Sequence, residues 1–266
     1  MAGIYVKHEG EWKLPKSIWV KSGTWRVCKN VYVKSGGVWK ELIKTVDITS
    51  SKSNFNLYSY LGSPSQALSI VVNIAGGVEI FSSNTSGNRT PALTVGNFPT
   101  GSTVIINNNG YISGGGGFGG RGGERSNNNI PSSGTNGGDG IVKGSSNNFD
   151  ISIVNTGTIA GGGGGGAGGQ VRYVCPPVPP NIYDDGCRYV DGSDGGQGAG
   201  ITGASRTQGG SPVPNAQTGG FGGALGDDGQ GNGQTNQYAK SGGAGGKAIG
   251  SGIEIAVSGT LIGAVG

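Results

Sequence analysis

Apolar and polar positions alternate with a period of two through much of the first hundred residues, the spacing of half-buried strands. The first 44 residues repeat one unit three times: Ile4-Tyr-Val-Lys-His-Glu-Gly-Glu-Trp12-Lys, Ile18-Trp-Val-Lys-Ser-Gly-Thr-Trp25-Arg and Val31-Tyr-Val-Lys-Ser-Gly-Gly-Val-Trp39-Lys. Each reads as a strand, a glycine turn and a second strand near the tryptophan, which predicts a β-hairpin. Tyr5, Trp19 and Tyr32 fall at equivalent places. So short an array buries little surface by itself. It is expected to pack on a partner, on copies of itself or on the next domain; an aromatic sugar-binding stripe is the alternative. Further strands are expected at Thr45–Ile48, Phe55–Tyr60, Leu68–Ile74, Val78–Ser82, Leu93–Val95 and Thr103–Asn107, separated by glycine and proline turns. Ala67–Ile74 is the most apolar run and is expected to be central. No amphipathic helix is visible.

After residue 109 the pattern changes. An alternating segment, Ile151–Ile159, runs straight into Ala160-Gly-Gly-Gly-Gly-Gly-Gly-Ala-Gly-Gly169, and Val104–Ile112 runs likewise into Gly114–Gly120. Of 60 glycines, 11 precede residue 110 and 49 follow from Gly110 on. Glycine makes poor helix and poor strand. A flexible linker is one reading, but the recurrence of a strand, a turn and a glycine run argues for an architecture. Polyglycine can adopt the polyproline-II conformation, with three residues per turn and no internal hydrogen bonds. Its backbone groups then find partners laterally on neighbouring passes. Passes are expected at Gly114–Gly123, Gly161–Gly169, Gly195–Gly203, Gly219–Gly223 and Gly242–Gly246, with loops at 124–136, 170–194, 204–218 and 224–241. Gly114, Gly115, Gly116, Gly117 and Gly161, Gly162, Gly163, Gly164, Gly165, Gly166 are the expected structural glycines. The last strand pattern, Ile253–Leu261, echoes Ile151–Ile159. The fold class that follows is an all-β first half, then a polyglycine-II helix bundle with long loops and no significant α-helix. The domains are 1–44 (three hairpin repeats, for attachment or oligomerisation), 45–109 (a small β domain) and 110–266 (the glycine-rich domain).

Composition and charge narrow the chemistry. The net charge of +4 is uneven: residues 1–45 carry nine Lys/Arg against three Glu, whereas the remainder is slightly acidic. These lysines recur at repeat positions and read as solvated strand faces rather than as a nucleic-acid surface. No apolar run is long enough to span a membrane, and the N-terminus lacks the pattern of a secretion signal. Collagen is excluded by the absence of a sustained Gly-X-Y period, and no phosphate-binding loop fits around Gly246-Lys247. No cofactor or metal is expected. His8 is the only histidine, and the aspartate pairs Asp184-Asp185 and Asp227-Asp228 read as turn formers rather than as a glycosidase pair. Zinc would need further ligands beside Cys175 and Cys187. A loop-closing disulfide between them is the preferred reading, two unpaired thiols the other. Recognition is the expected role of the loops: Arg172, Tyr173, Tyr183, Arg188 and Tyr189 stand in a proline-rich loop, and Tyr and Arg dominate binding hot spots. Asp184, Asp185, Arg206 and Tyr238 complete the candidate set.

Asn108-Asn-Gly-Tyr-Ile-Ser-Gly-Gly-Gly-Gly117, Asn155-Thr-Gly-Thr-Ile-Ala-Gly-Gly-Gly-Gly and Gly243-Ala-Gly-Gly-Lys-Ala-Ile-Gly resemble the C-terminal glycine-rich domain of bacteriophage tail-fibre and tail-tip proteins, and the whole half is similar in design to T-even-type tail-fibre-tip adhesins. The hairpin units resemble short repeats of phage virion proteins. The resemblance implies a virion receptor-binding protein without enzymatic activity. Its loops, held on a polyglycine-II sandwich, would bind a host outer-membrane protein or surface glycan. Other phage tail proteins would be its partners, with the chain as a homotrimer or as a monomer capping a fibre trimer. It implies neither nucleic-acid binding nor membrane insertion. The alternative is a structural or ice-binding glycine-rich segment without receptor recognition.

Overall fold

The structure is a computed structural model of the 266-residue chain. It describes residues 6–8, 11–13, 19–27, 30–35, 38–83, 90–123, 130–144, 148–170, 172–174, 188–195, 198–200, 219–234, 239–257 and 259–266. The N-terminal strands pair as antiparallel ribbons: β1 (Val6–His8) with β2 (Glu11–Lys13), β3 (Trp19–Ser22) with β4 (Thr24–Val27), and β5 (Asn30–Ser35) with β6 (Val38–Ile48). From β6 onward the chain winds through three parallel sheets, laying one strand in each per turn. The first turn is β6, β7 (Lys52–Ser53) and β8 (Phe55–Asn56), followed by the short helix α1 (Leu57–Tyr60). The second is β9 (Ser69–Ile74), β10 (Glu79–Phe81) and β11 (Leu93–Thr94). The third is β12 (Thr103–Asn108), β13 (Tyr111–Ser113) and β14 (Ile141–Val142). The fourth has β15 (Asp150–Asn155) and β16 (Thr158–Ala160). The ribbon β17 (Arg172–Val174) and β18 (Arg188–Val190) lies between the fourth and fifth turns, and the fifth has β19 (Glu254–Val257) and β20 (Thr260–Ile262). Ile249 and Val265 extend the third sheet from Ile141 by single bridges.

Stacking in register puts like on like. Val46, Val72, Ile106 and Ile153 form one inward column of the first sheet, Ile80, Ile112 and Ile159 one of the second, and Leu93, Ile141 and Ile249 one of the third; all are buried. Burying each such side chain contributes roughly 1.5–3 kcal/mol. On the outer face Asn107 Nδ2 donates to Asn73 Oδ1 (2.8 Å) and Asn73 Nδ2 to Asp47 Oδ1 (2.9 Å). At the corner into the second sheet, the inward positions of Ile48 and Ile74 pass to Asn108 and Asn155. Both are buried; Asn108 Nδ2 donates to Asn155 Oδ1 (2.8 Å), and Gly110 N donates to Asn108 Oδ1 (3.1 Å).

The regular secondary structure of the described residues is nearly all strand, as the alternation predicts, with two local differences. The expected strand Phe55–Tyr60 stops at Asn56, whose side chain accepts from Ser59 N (2.9 Å) and caps the single helical turn among the described residues. The sheets also ignore both expected boundaries. β6 runs through residues 44 and 45, and β12 pairs in parallel with β9 on one side and β15 on the other. Parallel pairing joins strands far apart in sequence, so the glycine-rich composition after residue 109 marks insertions within turns, not a new core.

The insertions open at one corner, between the second and third sheets. Among the described residues seven extended glycine-rich passes emerge there: pass 1 (114–123), pass 2 (130–140), pass 3 (161–170), pass 4 (191–195 and 198–200), pass 5 (219–226), pass 6 (227–234) and pass 7 (239–248). Passes 1 and 2 lead from β13 to β14, and passes 3 to 7 lead from β16 to Ile249. Their backbones bond laterally at every third residue: Gly114, Gly117, Gly120 and Gly123 N donate to Ala160, Gly163, Gly166 and Gly169 O at 2.7–2.9 Å.

Candidate functional site

Pass 3 lies at the middle of the other six. Its N–H groups rotate among three neighbours: Gly162 donates to Gly138 of pass 2 (2.8 Å), Gly163 to Ala199 of pass 4 (2.8 Å), Gly164 to Asp227 of pass 6 (2.9 Å) and Gly165 to Thr135 of pass 2 again (2.9 Å). Its carbonyls rotate among the remaining three, accepting from Gly117 of pass 1 at Gly163 (2.7 Å), Gly223 of pass 5 at Gly164 (2.8 Å) and Gly243 of pass 7 at Gly165 (2.8 Å). The outer six close a ring. Thr135 N donates to Phe118 O (passes 2 and 1), Gly137 N to Ala244 O (2 and 7), Gly229 N to Gly243 O (6 and 7), Gln230 N to Phe221 O (6 and 5), Ala199 N to Gly223 O (4 and 5) and Gly195 N to Gly120 O (4 and 1). Residues 159–169 are all buried. A Cβ on Gly161, Gly162, Gly163, Gly164, Gly165 or Gly166 would fall on a neighbouring backbone carbonyl, and the same holds for Gly114, Gly116 and Gly117. Gly115 supplies its carbonyl to Gly138 N (2.8 Å).

Short polar side chains complete the lateral bonding. Amides of the outer passes donate to Thr135 Oγ1 (from Phe118 N, 2.8 Å), Asn136 Oδ1 (from Ala244 N, 2.9 Å), Asp139 Oδ1 (from Lys247 N, 2.7 Å) and Asp228 Oδ1 (from Gly245 N, 2.7 Å). Spaced three apart, Asn136 and Asp139 serve Ala244 and Lys247, which are also three apart.

This corrects the expected loops. Residues 130–136 and 227–234, assigned to loops at 124–136 and 224–241, are passes 2 and 6, and residues 191–194 begin pass 4. The missed signal is a glycine, or a small polar residue, at every third place: Gly134, Gly137 and Gly140 in pass 2, Gly226, Gly229 and Asn232 into pass 6.

The ends of the passes define the site. Gly123 N donates to Gly169 O (2.9 Å), Gly192 N to Gly123 O (2.9 Å) and Gly169 N to Ser193 O (2.7 Å), so passes 1, 3 and 4 meet at the end away from the sheets. Pass 6 arrives beside them, with Asn232 Nδ2 on Gly168 O (3.0 Å). The flanks of 124–129, 171–191 and 235–238 therefore all stand at this distal end. Segment 201–218 departs from Gly200, level with Gly116, and returns at the distal end, where Gly219 N meets Ser193 Oγ (2.8 Å).

Of the candidate recognition residues, Arg172, Tyr173, Arg188 and Tyr189 lie on the ribbon of β17 and β18, which starts three residues beyond Gly169. Tyr173 and Tyr189 are partners in register, with Arg172 opposite Val190 and Val174 opposite Arg188. Tyr183, Asp184, Asp185, Arg206, Tyr238, Cys175 and Cys187 lie outside the described residues. A shallow polar groove of about 500 Å³ lies on the flank of the bundle, between passes 2 and 7, lined by Asn136, Asp139, Lys247 and Pro91. The described residues contain no cluster of metal-ligating side chains and no helix long and apolar enough to cross a membrane. Burial and the Glu79 carboxylate raise the Tyr111 hydroxyl above its ordinary pKa, but Tyr111 stands on the second sheet, remote from the distal end.

Comparison with known proteins gives the frame for this geometry. A search of curated protein sequences returned no match. Among solved structures, the chain is similar to the crystal structure of the gp37-gp38 adhesin tip complex of the bacteriophage S16 long tail fiber. Identity is 20%, coverage 85% of this chain and 83% of that one, and the TM-score 0.42. The family described as phage tail fibre adhesin Gp38 matches residues 43–266. With most of its length inside that match, the chain belongs to the phage tail fibre adhesin family and is a virion protein of the tail fibre that serves host attachment.

Proposed function

We propose that this adhesin is the receptor-binding protein of its fibre, and that it recognises a host outer-membrane protein or surface glycan through the loops at the distal end of the glycine bundle. The observation that carries the reading is that the flanks of three loop-bearing segments, and the return of a fourth, converge on the end of the bundle remote from the sheets. The passes are read as polyglycine-II helices, on the strength of the three-residue step of their lateral bonds. Such a rack has no side chains to repack, so loop sequences can change without disturbing it. Arg172, Tyr173, Arg188 and Tyr189 at the root of the longest loop, with Tyr183, Asp184, Asp185, Arg206 and Tyr238, are the proposed contacts. Cys175 and Cys187 directly follow and precede the register partners Val174 and Arg188. One further step of that ladder would oppose them, which supports a disulfide.

Attachment is assigned to the N-terminal ribbons. Residues 1–42 precede the matched span and are net positive, with eight Lys/Arg against three Glu. We read them as docking on another tail-fibre protein with an acidic surface, with the chain as a monomer on a fibre trimer or as a homotrimer. The protein binds and does not turn over a substrate. In the test, purified protein is added to cells of the phage's propagation strain before infection. Saturable cell binding that blocks phage adsorption is expected. Absence of binding by a folded preparation would refute the proposal.

A further inference from the structure

We propose that Ser132, Ser193, Asp194 and Asn232 form a collar that positions the recognition loops, acting at their bases rather than on the receptor. The inference rests on the reading that the distal loops recognise the host. It starts from a geometric problem. Inside the bundle each pass finds backbone partners on its neighbours, with side chains such as Thr135 serving some outer amides. At the last turn one neighbour has already departed into a loop, and amides and carbonyls are orphaned, much as at the ends of an α-helix. Side chains take over at these points. Arg121 N donates to Ser132 Oγ (2.7 Å) and Gly122 N to Asp194 Oδ1 (2.7 Å), which fixes the departure of segment 124–129. Gly219 N donates to Ser193 Oγ (2.8 Å), which fixes the return of segment 201–218.

Asn232 does the most. Its Nδ2 donates to Gly168 O (3.0 Å), in place of the backbone donor that pass 7 supplies to Gly162 and Gly165 further down. Its Oδ1 accepts from Gln234 N (3.3 Å) and Lys240 N (3.1 Å), which bracket segment 235–238. One side chain thereby ties the exit of pass 3, the pass that feeds the Tyr/Arg ribbon, to both sides of a second loop. Gly233 follows with φ 68°, a left-handed conformation that favours glycine. Asn232 and Ser193 are only 7% and 8% exposed. Groups so buried are costly to leave unpartnered, and they stand too deep for a bulky receptor to reach. With the orphaned groups satisfied from below the collar, the loops need not supply partners and are free to vary.

The test uses the full chain. Asn232→Asp keeps an acceptor for Gln234 N and Lys240 N but removes the donor to Gly168 O; Asn232→Ala removes all three bonds. Hydrogen exchange in peptides covering 166–174 and 232–241 is expected to quicken about tenfold, the factor for one lost buried hydrogen bond, while peptides 103–113 and 150–160 stay unchanged. Adsorption to the propagation strain is expected to fall by a similar factor. Unchanged exchange at the loop bases would overturn the collar, whatever adsorption does. Faster exchange with unchanged adsorption would overturn its role in recognition and leave its structural role standing. Should either Asn232 variant fail to fold, Ser132→Ala and Asp194→Ala carry the same test at 119–133, since both residues are exposed. Unchanged exchange there would likewise refute the proposal. The recognition reading itself fails separately, if replacing the loops leaves adsorption intact.

Discussion

Gly164→Ala adds one methyl group to the middle of pass 3. The new Cβ would fall on the carbonyl of Gly243, with Gly229 N only 2.8 Å away. Both obstacles are backbone, so no side chain can swing aside. Ordinary contact needs 3.4–4 Å, and pass 7 must therefore withdraw by more than an ångström. That movement strains three bonds: Gly243 N to Gly165 O (2.8 Å), Gly246 N to Gly162 O (2.7 Å) and Gly229 N to Gly243 O (2.8 Å). At roughly 1–3 kcal/mol for each buried group left unpaired, the loss is roughly 3–9 kcal/mol, against a total stability of about 5–15 kcal/mol for a folded domain. The native sequence supplies an internal contrast. Gly161 and Gly164 both face pass 7, and the next residue at that three-residue step is Ala167, near the end of the pass. A methyl group is accommodated there. Urea and thermal unfolding followed by circular dichroism measure the effect, with Gly76→Ala as control: its Cβ would meet only Asn109 O, at 3.8 Å. The control is expected within about 0.5 kcal/mol of the parent. If Gly164→Ala melts within roughly 2 °C of the parent, the backbone-packed bundle is refuted.

Two further outcomes are expected. Asn108→Ala leaves Asn155 Oδ1 and Gly110 N without their partner at the buried corner and should cost about 2–4 kcal/mol in urea unfolding; a change below roughly 0.5 kcal/mol would show that the corner does not depend on the amide ladder. Peptide mapping without reductant should recover Cys175 and Cys187 in one linked fragment, whereas quantitative alkylation of both thiols in the native protein would rule the pairing out.

Much of the fold is legible where local pattern decides it. The alternation in 69–74, 103–108 and 151–155 gives the strands, and the echo between Ile151–Ile159 and Ile253–Leu261 becomes direct pairing of β15 with β19 and β16 with β20. What local pattern does not carry is partnership. Parallel sheets join residues a whole turn apart, and here single turns are interrupted by insertions, so strands on both sides of residue 109 enter one core unseen. The glycine run at 161–169 stands out because the central pass is hemmed in on every side. Passes 2 and 6 escape notice because the glycines they turn toward pass 3, Gly134, Gly137 and Gly229, come only one place in three. Their other places hold Ser132, Thr135, Asp227 and Asp228, which read as loop until Ser132, Thr135 and Asp228 are seen accepting from neighbouring amides. Asn232 hides for the same reason: an asparagine before a glycine looks like a turn, and only the neighbouring pass reveals what its amide holds.

Loop replacement tests the central claim most directly. Residues 171–187 are scrambled in the full chain with Cys175 and Cys187 kept in place, the melting curve is compared with the parent, and adsorption to the propagation strain is measured. The account predicts an unchanged melting curve and adsorption reduced to background. A variant that melts like the parent and still adsorbs like it would contradict the claim that the glycine bundle exists to carry this loop to the host.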